Sequence, residues 1–247
     1  MRPDQLADDG YLLLPSVFTA DQVDAIAADL ASAFASDSGG STLRAEDGSI
    51  YGARNLLQLW PAVADIWRQS MLHHLLADTL GPDFGLVRVL YFDKPPQQSW
   101  ALPWHKDMTI AVRNNRLPSE HFAKPTVKVG VPHVEAPQWL LEMMLTLRLH
   151  LDDMTDANGP LKVLPGSHRS GKRPPAPLPE GEGRMMPVTI LGQRGDVLAM
   201  RPLLSHCSNK SQAEGTHRRV LHYEFAGIEQ LPDGYAWHDF VRGGSSP

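Results

Sequence analysis

His105 and Asp107, in the segment PWHKDMTI, are residues whose types and spacing can do chemistry together. On an extended strand, residues two apart point to the same side, roughly 6.5–7 Å apart along the chain. An imidazole and a carboxylate on neighbouring rungs can therefore converge on one ion. A third ligand must come from elsewhere among the 11 histidines. His206, in RPLLSHCSNKS, is the best-placed candidate, because it sits between two strand-like runs, GDVLAM and RRVLHYEFA. Two imidazoles and one carboxylate on one face of a metal leave three positions open, the arrangement used for Fe(II) and oxygen chemistry. A bare His-x-Asp recurs by chance, and the plain alternative is a His–Asp pair at a strand end.

A guanidinium downstream adds weight. Arg218 opens a strand whose inward face would carry Arg218, Val220 and His222. Its planar fork of donors suits bidentate binding of a carboxylate. An α-keto acid that chelates a metal at one end needs such an anchor at the other. Arg219 stands next to it, and strand alternation sends the two side chains to opposite faces. Only one of them can face the metal.

The elements that must position these residues follow from periodicity. Gly10–Phe18 is an apolar, strand-like run. Thr19 or Asp21 then caps a helix in which Val23, Ile26, Ala27, Leu30 and Phe34 form one stripe. Residues 36–50 are polar and rich in Gly and Ser, which predicts a loop or mobile cover. A second helical region is expected over 62–80, with Val63, Ile66, Trp67, Met71, Leu75 and Leu76 buried and Gly81-Pro82 ending it. From residue 84 the chain becomes a series of short β-type segments: FGLVRVLYFD, MMLTLRLHLDD, MMPVTIL, GDVLAM and RRVLHYEFA. In TLRLHLDD the leucines 145, 147, 149 and 151 share one face, while Thr146, Arg148 and His150 share the other. The Pro-rich run 173–183 reads as a connection.

Composition sets the limits. At 247 residues, 42% hydrophobic and 21% charged, the chain is long enough and apolar enough to bury a core without disulfides. A large β unit can occupy this whole length, so one domain over 1–247 is expected: helices over 1–83, a β core over 84–228 and a tail over 229–247. A net charge of −5 without basic runs argues against nucleic acid or an anionic membrane as partner. Cys207 is the single cysteine, which excludes an internal disulfide. No apolar stretch reaches a membrane span, and the first residues carry acids where a signal peptide needs a basic region. A cytoplasmic protein acting on a small molecule is the expectation. Nothing in the sequence specifies an oligomeric state.

Most of the chain resembles the phytanoyl-CoA dioxygenase family of Fe(II)/2-oxoglutarate-dependent oxygenases. The segments that carry the resemblance are DGYLLLPSVFTADQVDAI, FDKPP…WHKD, LTLRLHLDDMTDANGPLKVLPGSHRSGK and GDVLAMRPLLSHCSNKS…HRRVLHYEFA. It implies a double-stranded β-helix (jelly roll) with helices on one side. It also implies iron held by His105, Asp107 and His206, with Arg218 binding the far carboxylate of 2-oxoglutarate and Ser208 as a second donor. An arginine one position earlier is usual in the family; here that position is His217, which reads as a one-residue loop insertion. Thr146 and Lys94 are candidates for cosubstrate contacts, and Arg54, Trp104 and Arg148 for the substrate pocket. The resemblance further implies that O2 and 2-oxoglutarate are consumed, with release of succinate and CO2, as an unactivated C–H of a small metabolite is hydroxylated. Asp107 stands where halogenating relatives carry a small residue, so hydroxylation is expected over halogenation.

Other conspicuous residues have structural readings. His168 is expected to organise its loop, Asn158 and Gly159 to make a turn, and Cys207 to point away from the metal. His73, His74, His121, His133, His217 and His238 read as surface or packing histidines. The stretch Thr109–Pro137 is expected to build a pocket wall or lid. Two rival functions are a metal-dependent isomerase or lyase without 2-oxoglutarate, which would have no need of Arg218, and a non-catalytic jelly-roll binding protein, which would have no need of three intact ligands.

Overall fold

The leucine/polar alternation at 144–151 organises the molecule. The computed structural model describes residues 4–38, 40–95, 99–173, 186–213 and 215–244. Its N-terminal part comprises α1 (Gln5–Asp9), β1 (Tyr11–Leu14), α2 (Ala20–Ala35), β2 (Thr42–Arg44), β3 (Ile50–Ala53), α3 (Leu56–Leu59), α4 (Val63–Ile66) and α5 (Ser70–Leu80). The strands β4 (Gly85–Phe92), β5 (Leu102–His105), β6 (Thr109–Ala111), β7 (Ala123–Lys128) and β8 (Val131–Glu135) follow. Next come α6 (Gln138–Glu142), β9 (Met144–His150), β10 (Leu161–Val163), β11 (Val188–Thr189), β12 (Val197–Met200), β13 (His206–Ser208), β14 (Val220–Ala226) and β15 (Val241–Arg242).

These strands form a large sheet in the order β1-β12-β9-β14-β4-β3-β2, with β15 also paired to β4. A smaller sheet runs β11-β10-β13-β5, and β6, β8 and β7 make a third. Neighbouring strands are antiparallel throughout. The outer face of the large sheet packs Leu145, Leu147, Leu149, Leu221 and Phe225 against Val23, Leu30, Leu72 and Leu76 of α2 and α5. Its inner face meets the smaller sheet, where Leu198 and Met200 join Leu161, Val163 and Leu204 in a separate apolar cluster. This is the double-stranded β-helix with helices on one side. The polar face of β9 is therefore turned into the interior, which needs partners for its charged groups.

The helical expectations hold in outline and fail in phase. Thr19 caps α2 through a reciprocal capping box with Gln22, and Val23, Ile26, Leu30 and Phe34 are buried, with Ala33 in place of Ala27. The region 62–80 is two helices, interrupted at Trp67–Gln69. The interruption resets the stripe, so α5 buries Leu72, His73 and Leu76, while Met71 is 53% exposed. The supposed loop at 36–50 contributes to a hairpin, β2–β3, on the edge of the large sheet. Residues 174–183 of the Pro-rich run, expected as a connection, lie outside the described residues. No helix among the described residues is long and apolar enough to cross a membrane.

Candidate metal centre and its cavity

β5 and β13 are edge-to-edge neighbours, and their register sets His105 directly opposite His206. The imidazole rings lie 4.1 Å apart between centroids, tilted by 54°. Asp107, two residues beyond His105, is fixed by its backbone N–H donating to the Pro202 carbonyl at 2.9 Å. Its carboxylate oxygens stand 3.8 Å from His105 Nε2 and 3.7 Å from His206 Nε2. Ligand atoms of the three residues all lie within 4.8 Å of one another. Two bonds of ~2.1 Å can join atoms up to ~4.2 Å apart, so the two carboxylate–imidazole pairs already fit a shared ion.

Tautomers are set by the backbone. His105 Nδ1 is 2.8 Å from the Pro103 carbonyl and His206 Nδ1 is 2.9 Å from the Leu204 carbonyl. A carbonyl only accepts, so each Nδ1 carries the proton and each Nε2 lone pair faces the other ligands. Burial holds the His206 imidazole down to about 4, which keeps it neutral and able to ligate. Burial alone would raise the Asp107 carboxyl; a proton shared with the neighbouring imidazoles, His206 foremost, pulls it the other way, and the net shift is downward.

The triad opens into a cavity of about 340 Å³. Arg218 stands two residues before β14 and Glu224 near its far end, and both line this cavity. Arg218 is 4% exposed, and its Nε and Nη1 have no hydrogen-bond partner among the described residues. Arg148, likewise buried with Nε unpartnered, donates from Nη1 to His222 Nδ1 at 2.9 Å. Burial lowers Arg218 to about 9 and Arg148 to about 10, and the two guanidinium charges oppose each other. Lys94 is fully buried and donates to Ser208 Oγ at 2.9 Å and to the Asn209 carbonyl. Burial, followed by the charges of Arg218 and Arg148, pushes it down to about 7. Three cationic side chains thus crowd one end of the cavity without a carboxylate between them, apart from Asp93 behind Arg218. Asp93 is already bonded to the Arg218 backbone N–H and to His217.

The remaining sequence candidates divide. Ser208, Arg148 and Arg54 line the cavity with Arg218. Lys94 stands one hydrogen bond behind Ser208. Thr146 is the cross-strand partner of Glu224, buried and outside the cavity wall. Trp104 is 38% exposed and also outside the wall. Alternation explains the latter, since Trp104 is adjacent to the cavity-facing His105; a bulge then brings Leu102 back to the cavity, because His206 faces His105 while Ser208 faces Leu102 and β5 holds one more residue than β13 over this stretch. Leu102 and His105 both face the cavity, and Trp100 takes the aromatic place, edge-on to Tyr51 at 5.5 Å. Cys207 is buried and lies outside the cavity wall, between His206 and Ser208, which line it.

Arg219 bonds Asp152 with both Nε and Nη2. His168 contacts the Ala7 carbonyl at 3.2 Å. Asn158 closes its turn by accepting from the Thr155 N–H and donating to the Asp153 carbonyl. From the 109–137 stretch, Thr109 and Lys128 form part of the cavity wall.

A group of residues that the sequence reading passed over floors the cavity. Arg88 donates to both oxygens of Glu224, and Glu224 Oε1 is 3.3 Å from His222 Nε2. Arg88 Nη1 also lies 2.9 Å from His133 Nε2, whose Nδ1 donates to the Val131 carbonyl. The chain Arg148–His222–Glu224–Arg88–His133 is therefore continuous. Its signal was the alternation of Arg88, Leu90 and Phe92 inside an apolar run, the same pattern that marked Arg148.

Residues 6–220 match the phytanoyl-CoA dioxygenase (PhyH) family. Among curated proteins, none matches the chain. Several solved structures share the fold. EctD from S. alaskensis, crystallised with 2-oxoglutarate and 5-hydroxyectoine, is 20% identical with a TM-score of 0.67 over 90% of this chain and 73% of its own. The α-ketoglutarate-dependent epimerase SnoN from nogalamycin biosynthesis is 16% identical, with a TM-score of 0.64 over 93% and 83%. AviO1 from Streptomyces viridochromogenes Tue57 is 21% identical, with a TM-score of 0.61 over 93% and 95%. With the match spanning most of its length, the chain belongs to the phytanoyl-CoA dioxygenase family.

Proposed function

We propose that this chain is a non-haem Fe(II)/2-oxoglutarate-dependent oxygenase that hydroxylates an unactivated C–H of a small organic molecule. The observation that carries the reading is Arg218: a buried guanidinium with two unpartnered nitrogens, opening into the same cavity as a His-Asp-His triad. A buried, unpaired charge is costly unless a ligand completes it, and a dicarboxylate held between a metal and an arginine does so. The donor set of two imidazoles and one carboxylate suits Fe(II) with open positions. When bound, iron would activate O2, the oxidant, with 2-oxoglutarate giving up two electrons and leaving as succinate and CO2; one oxygen atom ends in succinate and the other in the hydroxylated product.

The protein's own residues do the rest. His105, Asp107 and His206 present their donor atoms from two paired strands. Arg218 and Ser208 hold the far carboxylate, with Lys94 fixing the Ser208 hydroxyl. Leu43, Leu90, Phe92, Leu102 and Leu161 supply apolar wall that excludes water from the reacting centre. Arg148 is held by His222 beneath the triad.

EctD, crystallised with 2-oxoglutarate and 5-hydroxyectoine, and the epimerase SnoN share this fold, so the reaction class is read from the site. Asp107 fills the position that a halide would need. A metal isomerase or lyase without 2-oxoglutarate leaves Arg218 unexplained. Incubating the Fe(II)-loaded protein with 2-oxoglutarate and a metabolite panel tests the reading: substrate-stimulated succinate release is expected. Failure of 2-oxoglutarate to bind the parent protein would sink it.

A further inference from the structure

The chain carries a net charge of −5, yet its cavity is lined by five cationic side chains, Arg54, Arg88, Lys128, Arg148 and Arg218, against two carboxylates, Asp107 and Glu224. The cations fall into two groups by the charges that act on one another. Arg218 and Arg148, with Lys94 behind them, form the end assigned above to 2-oxoglutarate. Glu224 lies six residues from Arg218, roughly 20 Å along an extended strand. Around it sit Arg88, Arg54 and Lys128, whose charges act on one another.

Glu224 is the one carboxylate whose charge reaches all three, and it is outnumbered. It is fully engaged by Arg88 on both oxygens and by His222. His133, the other titratable neighbour of Arg88, is kept neutral: burial and the Arg88 charge lower it to about 4. Asp239, across the recess beside Arg54, is taken up by Gln58. The half-buried Arg54 guanidinium has no hydrogen-bond partner among the described residues, and Glu224 attracts it only at a distance, less strongly than Arg88 repels it. Lys128, also half-buried, has only the neutral Thr109 hydroxyl, at 3.0 Å. Burial lowers both, and the Arg88 charge adds to it in each case.

Resting on the oxygenase reading, we propose that Arg54 and Lys128 form a second anion site, which selects a primary substrate bearing a carboxylate, sulfonate or phosphate. Two half-buried cations with no carboxylate bonded to them, sharing a Glu224 that Arg88 already holds on both oxygens, are stabilised by such a group more than by water. Trp100, Leu43 and Tyr51 line the same cavity and offer an apolar surface for the body of the molecule. An anion held at Arg54 and Lys128 and the carboxylate held at Arg218 then meet different cations and do not compete.

Matched probes test this on the full-length protein loaded with Mn(II). Benzoate and phenyl phosphate are titrated against neutral benzamide by calorimetry, in the parent and in Arg54→Gln, Lys128→Met, Arg218→Ala and the exposed-charge control Arg113→Ala. The anions are expected to bind at least about tenfold more tightly than benzamide. Arg54→Gln and Lys128→Met should each weaken them about tenfold or more, with Mn(II) affinity retained as the check of folding, whereas Arg218→Ala and Arg113→Ala leave them unchanged. Three results overturn the site: benzamide binding as tightly as benzoate, neither anion binding at millimolar concentration, or anion binding that depends on Arg218 and survives both Arg54→Gln and Lys128→Met. Titration of 2-oxoglutarate into the same parent protein is scored separately. Its failure removes the oxygenase reading without deciding the anion site.

Discussion

Arg218 and Arg219 are adjacent in sequence and opposite in environment. The Arg218 side chain enters the cavity with Nε and Nη1 unpartnered, while Arg219 forms a fork-on-fork pair with Asp152 at 2.9 and 2.6 Å. Alternation on an extended strand produces this split, and it separates two measurements. Arg218→Ala removes the guanidinium with two unpartnered nitrogens at the 2-oxoglutarate end of the cavity, where Arg148 has one. It is expected to weaken 2-oxoglutarate by about 2–5 kcal/mol, roughly 30- to 5,000-fold in Kd. Arg219→Ala removes a partly exposed ion pair, so it should lower stability by about 1 kcal/mol and change the 2-oxoglutarate Kd less than about twofold. The reverse pattern would assign the anchor to Arg219.

Metal affinity should track the triad alone. Asp107→Ala and His206→Ala each delete one of three donors and are expected to abolish tight Fe(II) binding, measured by equilibrium dialysis, with the β-sheet circular dichroism preserved. Arg218→Ala should leave Fe(II) bound, since the guanidinium is not a donor to the metal. Retention of parental iron affinity by either triad variant would overturn the ligand assignment.

The legible part of the site was the part written in short-range spacing. His105 and Asp107 share a strand face by period-two geometry, and the Leu145/Leu147/Leu149 face did turn to the helices. The Arg218/Arg219 split followed the same rule. What stayed hidden depended on pairing between distant strands. Glu224 meets Arg88 only because β14 and β4 pair in that register, and neither residue signals the other locally. Leu102 and Trp100 were missed because one bulge in β5 shifts the side chains before it, whereas Trp104, adjacent to the ligand His105, was excluded by alternation alone. The stripe of α5 slipped because the break at Trp67–Gln69 cannot be seen in the apolar spacing alone.

Gly159 ties the turn after β9 to the strand carrying Ser208. Its φ is +70°, and an added Cβ would stand 2.5 Å from the Asn209 carbonyl oxygen. Gly159→Ala therefore combines backbone strain with a clash against main chain, and should cost more than about 1 kcal/mol. The Asn209 carbonyl also accepts from Lys94, so the variant should lose 2-oxoglutarate affinity as well as Tm. A variant with parental Tm would show that the turn has room to relax.

Lys94 gives the cavity a pH dependence whose sign can be worked out. Burial first, and then Arg218 and Arg148, lower its ammonium to about 7, far below an ordinary lysine. Between about pH 7 and 10 the unfolded chain therefore holds a proton that the folded chain lacks. Stability should rise with pH across that window, while below pH 7 the full penalty of the buried charge is present. A dianion bound beside Arg218 favours the charged lysine and reverses the shift. Binding of 2-oxoglutarate at pH 7.5–8 should accordingly take up a fraction of a proton, measured by calorimetry in buffers of different ionisation enthalpy. Lys94→Met should abolish that uptake and flatten the rise of Tm between about pH 7 and 9. Equal proton uptake in parent and variant would show that the lysine stays charged in the unliganded cavity and that Arg218 alone meets the carboxylate.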